Sequence, residues 1–187
     1  MVGLGNPGPD YATTRHNVGA MVAELLAERA DARLSPHRRG RSDVADIRLG
    51  PLPGIRTILA RPRSYMNTSG GPVAALMDYF GVPAEQLVVV HDELDLPFES
   101  LRLTRGGGDN GHNGLRSLRQ SLGTGEFLRV RIGIGRPPGS QAAADFVLKP
   151  FTAPERKHLP LVVERAGDAT EALVRGGLER AQNDYNS

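Results

Sequence analysis

The sequence predicts an α/β fold: a single domain on a twisted, mixed sheet with a largely parallel centre, flanked by helices. Three observations carry this reading. Short β-like runs alternate with segments whose apolar residues recur at helical spacing, the order expected of strands joined by crossover helices. Leu87-Val88-Val89-Val90 is a continuous apolar run, as a strand covered on both faces requires. Two further runs, near 43–49 and 55–61, are joined only by the turn GPLPG, which gives a hairpin and hence mixed character. A length of 187 residues with 39% hydrophobic content suits one domain with a substantial core, spanning 1–187.

The elements follow in order. Val2–Leu4 reads as the end of a buried strand, followed by a tight Gly/Pro loop. Val18, Met21, Val22, Leu25 and Leu26 mark an amphipathic helix over roughly 18–30, with Thr14–Asn17 at its start. A basic stretch, Arg33 to Arg41, leads into the hairpin strands. Ser69-Gly70-Gly71-Pro72 opens a helix carrying Val73, Leu76, Met77 and Phe80 on one face; proline at the first helical position costs nothing, because its missing N–H has no partner there anyway. The strand at 87–90 delivers HDELDLP to its C-terminal end. A strand near 100–104, the loop GGGDNGHNG and a helix striped by Leu115, Leu118 and Leu122 come next. Leu128, Val130, Ile132 and Ile134 alternate with Arg129, Arg131 and Gly133, the pattern of a half-buried strand. Thr152-x-x-Glu155 is a capping box for a long C-terminal helix, which Pro160 should kink or restart and Gly176-Gly177 should end, with a short helix after it.

Composition excludes several chemistries. With no cysteine, thiol catalysis, disulfides and thiolate metal sites are ruled out. No run approaches the ~18 apolar residues of a membrane span, and Met1 enters VGLGNPG without a charged leader, so no membrane association and a cytoplasmic location are expected. Net charge is only +2, yet lysine occurs only at 149 and 157, leaving 21 of the 23 basic residues as arginine. Arginine forks onto phosphate and stacks on bases, which suits an RNA partner, but genome-wide codon bias is the plainer explanation of the excess, and charge alone does not point to RNA.

Polar residues cluster in five Gly- or Pro-punctuated segments: VGLGNPG, TRHNVG, RPRSYMNTSGGP, HDELDLP and GGGDNGHNG. Each has a plain structural reading. Gly3-Leu4-Gly5-Asn6-Pro7-Gly8 matches GxGxxG, but the first helical pattern begins some ten residues later, too far for a helix dipole to hold a phosphate. His16 alone is most simply a hydrogen-bonded structural histidine, and His37, His91, His112 and His158 are no more distinctive. His91, Asp92, Glu93 and Asp95 hint at a divalent metal, but neighbours on a strand point to opposite faces and cannot all converge. Asn67 reads as an N-cap or Asx-turn and Asn113 as part of a surface loop at a helix start. No GxSxG elbow exists, so serine chemistry is not expected. Together, however, one histidine, one aspartate and several carboxamides are the parts needed to polarise a carbonyl and activate water without a metal.

In these five ordered motifs, over essentially its whole length, the chain resembles bacterial-type peptidyl-tRNA hydrolases, which cleave the ester joining a peptide to the 3′ end of tRNA. The resemblance implies a phosphorylase/hydrolase-like fold, peptidyl-tRNA as partner, no cofactor or metal, no obligate protein partner and a monomer. It implies that His16 of Thr14-Arg15-His16-Asn17 is the general base, that Asp92 orients it, and that Asn6 is a carboxamide beside it. It makes Asn67 and Asn113 substrate contacts, and places Tyr11 and Tyr65 against the tRNA end, where stacking on the terminal adenine suits either. The tRNA body needs phosphate contacts; Arg102, Arg105, Arg129 and Arg131 are the candidates, with Lys149 in addition, because alternation puts Arg129 and Arg131 on one face opposite the core. Two departures stand out: the chain begins almost at the glycine loop, with less of the first strand than is usual, and Thr104 stands where a basic residue is common. A catalytically silent RNA-binding module and a dinucleotide-binding α/β protein are the competing classes.

Overall fold

The computed structural model describes all 187 residues and is organised around one seven-stranded sheet. In chain order the strands are β1 (Val2–Gly3), β2 (Ser35–Pro36), β3 (Ser42–Leu49), β4 (Ile55–Pro62), β5 (Val88–Glu93), β6 (Leu101–Arg105) and β7 (Leu128–Gly133). They lie in the order β2-β3-β4-β1-β5-β7-β6. The centre, β4-β1-β5-β7, is parallel, and antiparallel pairs complete both sides. The sheet is therefore mixed with a parallel centre, as the alternating elements and the hairpin require.

Helices α1 (Val18–Arg29) and α5 (Ala153–Gly176) cover one face, where Val18, Val22, Leu26, Val162, Ala166 and Leu173 pack with Val88, Val90, Val130 and Ile132. Helices α2 (Gly70–Phe80) and α3 (Asn113–Leu122) cover the other, through Val73, Leu76, Leu115 and Leu118 against Leu4, Val89 and Phe127. A short α4 (Ala143–Val147) precedes α5, and α6 (Leu178–Tyr185) follows it. The terminal segment hydrogen-bonds to the free edge of β6: Asn186 Oδ1 accepts from the Leu103 N–H and Gln182 Nε2 donates to the Leu103 carbonyl. An edge covered this way cannot pair with another chain.

Helix α1 approaches the sheet unusually closely, which places the start of that helix. A Cβ on Gly19 would sit 2.1 Å from the Val90 carbonyl oxygen, and one on Gly3 2.2 Å from the Gly19 oxygen. With neither present, the Ala20 N–H donates directly to the Leu4 carbonyl at 3.0 Å.

Three expectations need correction. Helix α5 is not restarted at Pro160 but runs continuously from Ala153 to Gly176; the proline is exposed, so solvent can serve the carbonyl left without its N–H partner. Helix α2 begins at Gly70, so Pro72 is its third residue, still among those whose N–H has no acceptor within the helix. Strand β7 is not half-buried: Val130 and Ile132 face one core, while Arg129 on the other face is also buried. No helix is long and apolar enough to cross a membrane.

Candidate active site

Between the glycine loop and α1, Arg15–Asn17 forms one 3-10 turn whose three residues are all buried. Arg15 anchors it. Its guanidinium donates to the Pro150 carbonyl (3.0 Å) and to Glu155 (2.9 Å), with its carbon 4.1 Å from the centre of the Phe146 ring. Asn17 clamps the backbone of Asn6 from both sides, accepting its N–H and donating to its carbonyl, each at 2.9 Å. The Asn6 side-chain oxygen accepts the Met66 N–H at 2.7 Å, which commits that oxygen and leaves the NH₂ as the free end.

His16, held between these anchors, meets Asp92 at the end of β5. Its Nδ1 lies 2.9 and 3.0 Å from the two carboxylate oxygens, and Asp92 is 3% exposed. A second imidazole shares the carboxylate: His112 Nε2 is 2.9 Å from Asp92 Oδ1. Burial alone would raise the Asp92 pKa, but the two imidazoles hold it well below the usual carboxylate range. For His16, burial pulls the pKa down and the Asp92 charge and hydrogen bond pull it up; the aspartate wins and the net shift is upward.

His112 has a further constraint. It is the N-cap of α3, and its Nδ1 accepts the N–H groups of Gly114 (3.1 Å) and Leu115 (3.3 Å). A nitrogen that accepts carries no proton, so the single ring proton is on Nε2 and is donated to Asp92. This bears on metal binding, for which His16, Asp92 and His112 are close enough together. A cation on His112 Nε2 would drive the proton to Nδ1, against two backbone donors, so the trio as arranged is a hydrogen-bond chain rather than a ligand set. The other suggested ligands are dispersed: Glu93 pairs with Arg131, Asp95 pairs with Arg136 at the surface, and His91 Nδ1 bonds the Asp92 carbonyl.

The His16 ring borders two adjoining depressions, and its Nε2 has no partner within the protein. The larger, about 400 Å³, is lined by Asn6, Tyr11, Tyr65, Asn67 and Asn113 together with the α4 segment. The smaller, about 100 Å³, runs past Asp92, Glu93 and His112. Tyr11 and Tyr65 meet edge-to-face with ring centres 6.2 Å apart, and Tyr65 is 60% exposed. Asn67 lies in the 3-10 turn Met66–Thr68 and is exposed rather than capping α2, whose N-cap is Ser69. Five segments distant in sequence thus converge at the C-terminal end of the parallel strands, where open α/β sheets bind ligands.

The arginines divide. Arg102 is exposed and sits opposite Arg131 in the β6–β7 register, so the two share a face; Arg131 also holds the buried Glu93 at 2.9 Å. Arg105 is exposed on the opposite face, with one long contact to the Glu85 carbonyl. Lys149 is exposed just beyond α4. Arg129 is not a surface phosphate contact: it is 3% exposed, and its guanidinium is spent on the carbonyls of Gly107, Gly108 and Gly125. The expectation failed because the loop through Gly107 and Gly108 covers β7 at Arg129, while Arg131, two residues on along the same face, stays partly exposed. The residue that sequence reasoning missed is His112. Its only signal was its place one residue before Asn113, at the end of a loop already singled out. The glycine loop 3–8 has no helix at its end, α1 beginning only at Val18, so the dinucleotide-binding context is missing.

Known proteins resemble this chain in sequence and in fold. The family model described as "Peptidyl-tRNA hydrolase" matches residues 1–187. A "Peptidyl-tRNA hydrolase" of Frankia casuarinae is 59% identical over 187 residues, covering 100% of this chain and 93% of the relative. One of Streptomyces coelicolor is 58% identical over 190 residues, covering 100% and 94%. The crystal structure of peptidyl-tRNA hydrolase from Acinetobacter baumannii superposes with a TM-score of 0.90 at 34% identity, covering 100% of this chain and 93% of that one. Matched by that family model over residues 1–187, and agreeing with these proteins in sequence and fold, the chain belongs to the peptidyl-tRNA hydrolase family and is a hydrolase acting on the ester bond.

Proposed function

We propose that the protein hydrolyses the ester between an N-blocked aminoacyl or peptidyl group and the 3′ end of tRNA without a metal, with His16 as general base. The observation that carries this is the buried Asp92 carboxylate between His16 Nδ1 and His112 Nε2, which turns His16 Nε2 toward a carboxamide-lined cleft. Asp92 keeps the His16 proton on Nδ1, so Nε2 is the acceptor. A water gives its proton to Nε2 while its oxygen bonds to the ester carbonyl carbon. The resulting oxyanion is held by carboxamide or backbone N–H donors, and the free NH₂ of Asn6 is suitably committed as a donor. The carbon–O3′ bond then breaks and the imidazolium returns its proton to the ribose oxygen. A positioned base of this kind is worth ~10²–10⁴ in rate.

Asn6, Asn67 and Asn113 are uncharged and can pair with amides in either direction, which suits a peptide rather than a free ammonium. Tyr11 and Tyr65 offer ring faces to the terminal base. Arg102 and Arg131 on one face, with Arg105 on the other face of β6 and Lys149 beside α4, are the phosphate contacts for the tRNA body; the buried Arg129 has no part in that surface. A monomer without an obligate protein partner belongs to the same reading, and the substrate implies work in translation in the cytoplasm.

The test is release of N-acetyl-aminoacyl groups from tRNA in EDTA by wild type and His16→Ala, with free aminoacyl-tRNA as control. Turnover of the blocked ester alone, abolished in the variant, is expected. Turnover that requires added metal, or that survives His16→Ala, would overturn the mechanism; tRNA binding without turnover would identify a silent module.

A further inference from the structure

We propose that Arg129 is a positioning residue for this reaction: its guanidinium holds the loop 106–112 where His112 reaches Asp92. The inference rests on the hydrolase reading above for its kinetic consequence, but not for its structural one.

The loop has few means of holding itself. Its first three residues are Gly106, Gly107 and Gly108, and Gly106 and Gly107 have φ of +68° and +104°, a region side-chain-bearing residues rarely adopt. With no side chains to pack, this stretch is held through its backbone alone: the Gly106 N–H donates to Phe127 O at 3.0 Å, and the carbonyls of Gly107 and Gly108 are left to the side chain beneath. Arg129, on β7 directly beneath, donates to Gly108 O at 2.6 Å and Gly107 O at 2.8 Å, and reaches Gly125 O at 3.2 Å. Its guanidinium carbon also lies 4.8 Å from the centre of the Phe127 ring. No carboxylate forms an ion pair with it, and its Nε is buried without a partner. Burying an unpaired cation carries a desolvation cost that a leucine here would avoid.

What the arginine secures lies farther along the loop. From Gly108 the chain passes through Asp109 and Gly111, joined by an Asx-type bond of 2.9 Å, and arrives at His112, which must cap α3 with one nitrogen and donate to Asp92 with the other. Asn113, on the cleft wall, is the next residue. A shift of the loop origin by about 1 Å would leave the 2.9 Å His112–Asp92 bond unmade, since such bonds weaken steeply beyond normal length. A fork with donors in one plane suits adjacent carbonyls; a lysine ammonium serves them less well.

The experiment compares wild type, Arg129→Met and Arg129→Lys. Steady-state hydrolysis of N-acetyl-aminoacyl-tRNA is followed over a range of salt, and the ring ¹⁵N shifts of His112 are recorded without substrate. In Arg129→Met we expect kcat to fall tenfold or more, with the salt dependence of KM unchanged, and the His112 nitrogens to leave the Nε2–H pattern for averaged values. Arg129→Lys should recover part of both effects, and supplies the same readouts if the Met variant does not fold. A raised KM with a shallower salt slope at constant kcat would make Arg129 a phosphate contact and overturn the proposal. Unaltered kcat and His112 shifts, with only a lower melting temperature, would reduce it to packing and overturn it equally. If wild type fails to hydrolyse the ester, the hydrolase reading falls, and the His112 spectrum alone still decides whether Arg129 positions the loop.

Discussion

Two imidazoles meet one carboxylate, and the partners of their remaining nitrogens separate the roles. His112 spends Nδ1 on the α3 backbone, whereas His16 keeps Nε2 for the cleft. Asp92 raises the His16 pKa, so the acid limb of the pH–rate profile should lie above the ordinary histidine value. As pH falls through that raised value His16 is protonated, and activity that uses it as the proposed base should be lost. Asp92→Asn removes the charge that raises it. We expect kcat to fall by ~10² or more, with the acid limb moving to lower pH and tRNA affinity nearly constant. An unmoved limb would detach Asp92 from His16. His112→Asn can still cap α3 through its side-chain oxygen, but it removes the Nε2–H bond to the buried Asp92, so stability should fall by about 1–3 kcal/mol while turnover drops. Full turnover in that variant would remove His112 from the mechanism.

At the scale of elements, close approaches of backbone set where the chemistry sits. Gly19 lets α1 lie on β1 and β5, and the turn bearing His16 leads directly into that helix. Gly19→Ala places a methyl against backbone that cannot rotate away. A cost of about 1–3 kcal/mol is expected, with Tm falling by roughly 2–4 °C per kcal/mol in a chain of this size. Calorimetry checks this, and an unchanged Tm would show that α1 can shift freely. On the β6–β7 ladder, Arg102 is the cleaner probe of tRNA binding, because Arg131→Ala would strand the buried Glu93. Arg102→Ala should raise KM and reduce its salt dependence by roughly 0.7–0.9 in log–log slope for each phosphate that is no longer neutralised. A change in kcat at constant KM would argue against a phosphate role.

For the whole molecule, stability should depend on pH through the fully buried His91, which burial pushes down to about 3. Its protonation is suppressed in the fold but not in the unfolded chain. Below about 6.5 the unfolded state therefore binds more protons, and stability falls with pH by up to about 1.4 kcal/mol per unit toward pH 3. His16 has the opposite shift, so its contribution is fully present below about 6.5 and does not offset this slope. The buried Met1 amino group, lowered to about 5, gives a slope of the same sign above that pH, so denaturant titrations from pH 5 to 4 check the loss, which His91→Asn should flatten there. An equally steep slope in that variant would assign it to other groups.

Much of this molecule was legible from local pattern alone. The apolar run at 87–90, the hairpin at GPLPG, the capping box at Thr152 and the helix from Val18 all depend on neighbours within a few residues, where periodicity and capping chemistry act. The motif order pointed to the family that the whole-chain match shows, and it singled out His16, Asn6, Asn67 and Asn113, which line one cleft, and Asp92, which bonds to His16. Only tertiary structure decided the rest. Whether Arg129 faces solvent depends on what covers β7, and the cover is a loop more than twenty residues earlier in the chain. Whether His112 is an ordinary histidine depends on a carboxylate on another strand. Sequence determines which side chains each face of an element presents, because the 2.0 and 3.6 periods are local; what those faces meet is settled by packing between segments that no local pattern couples.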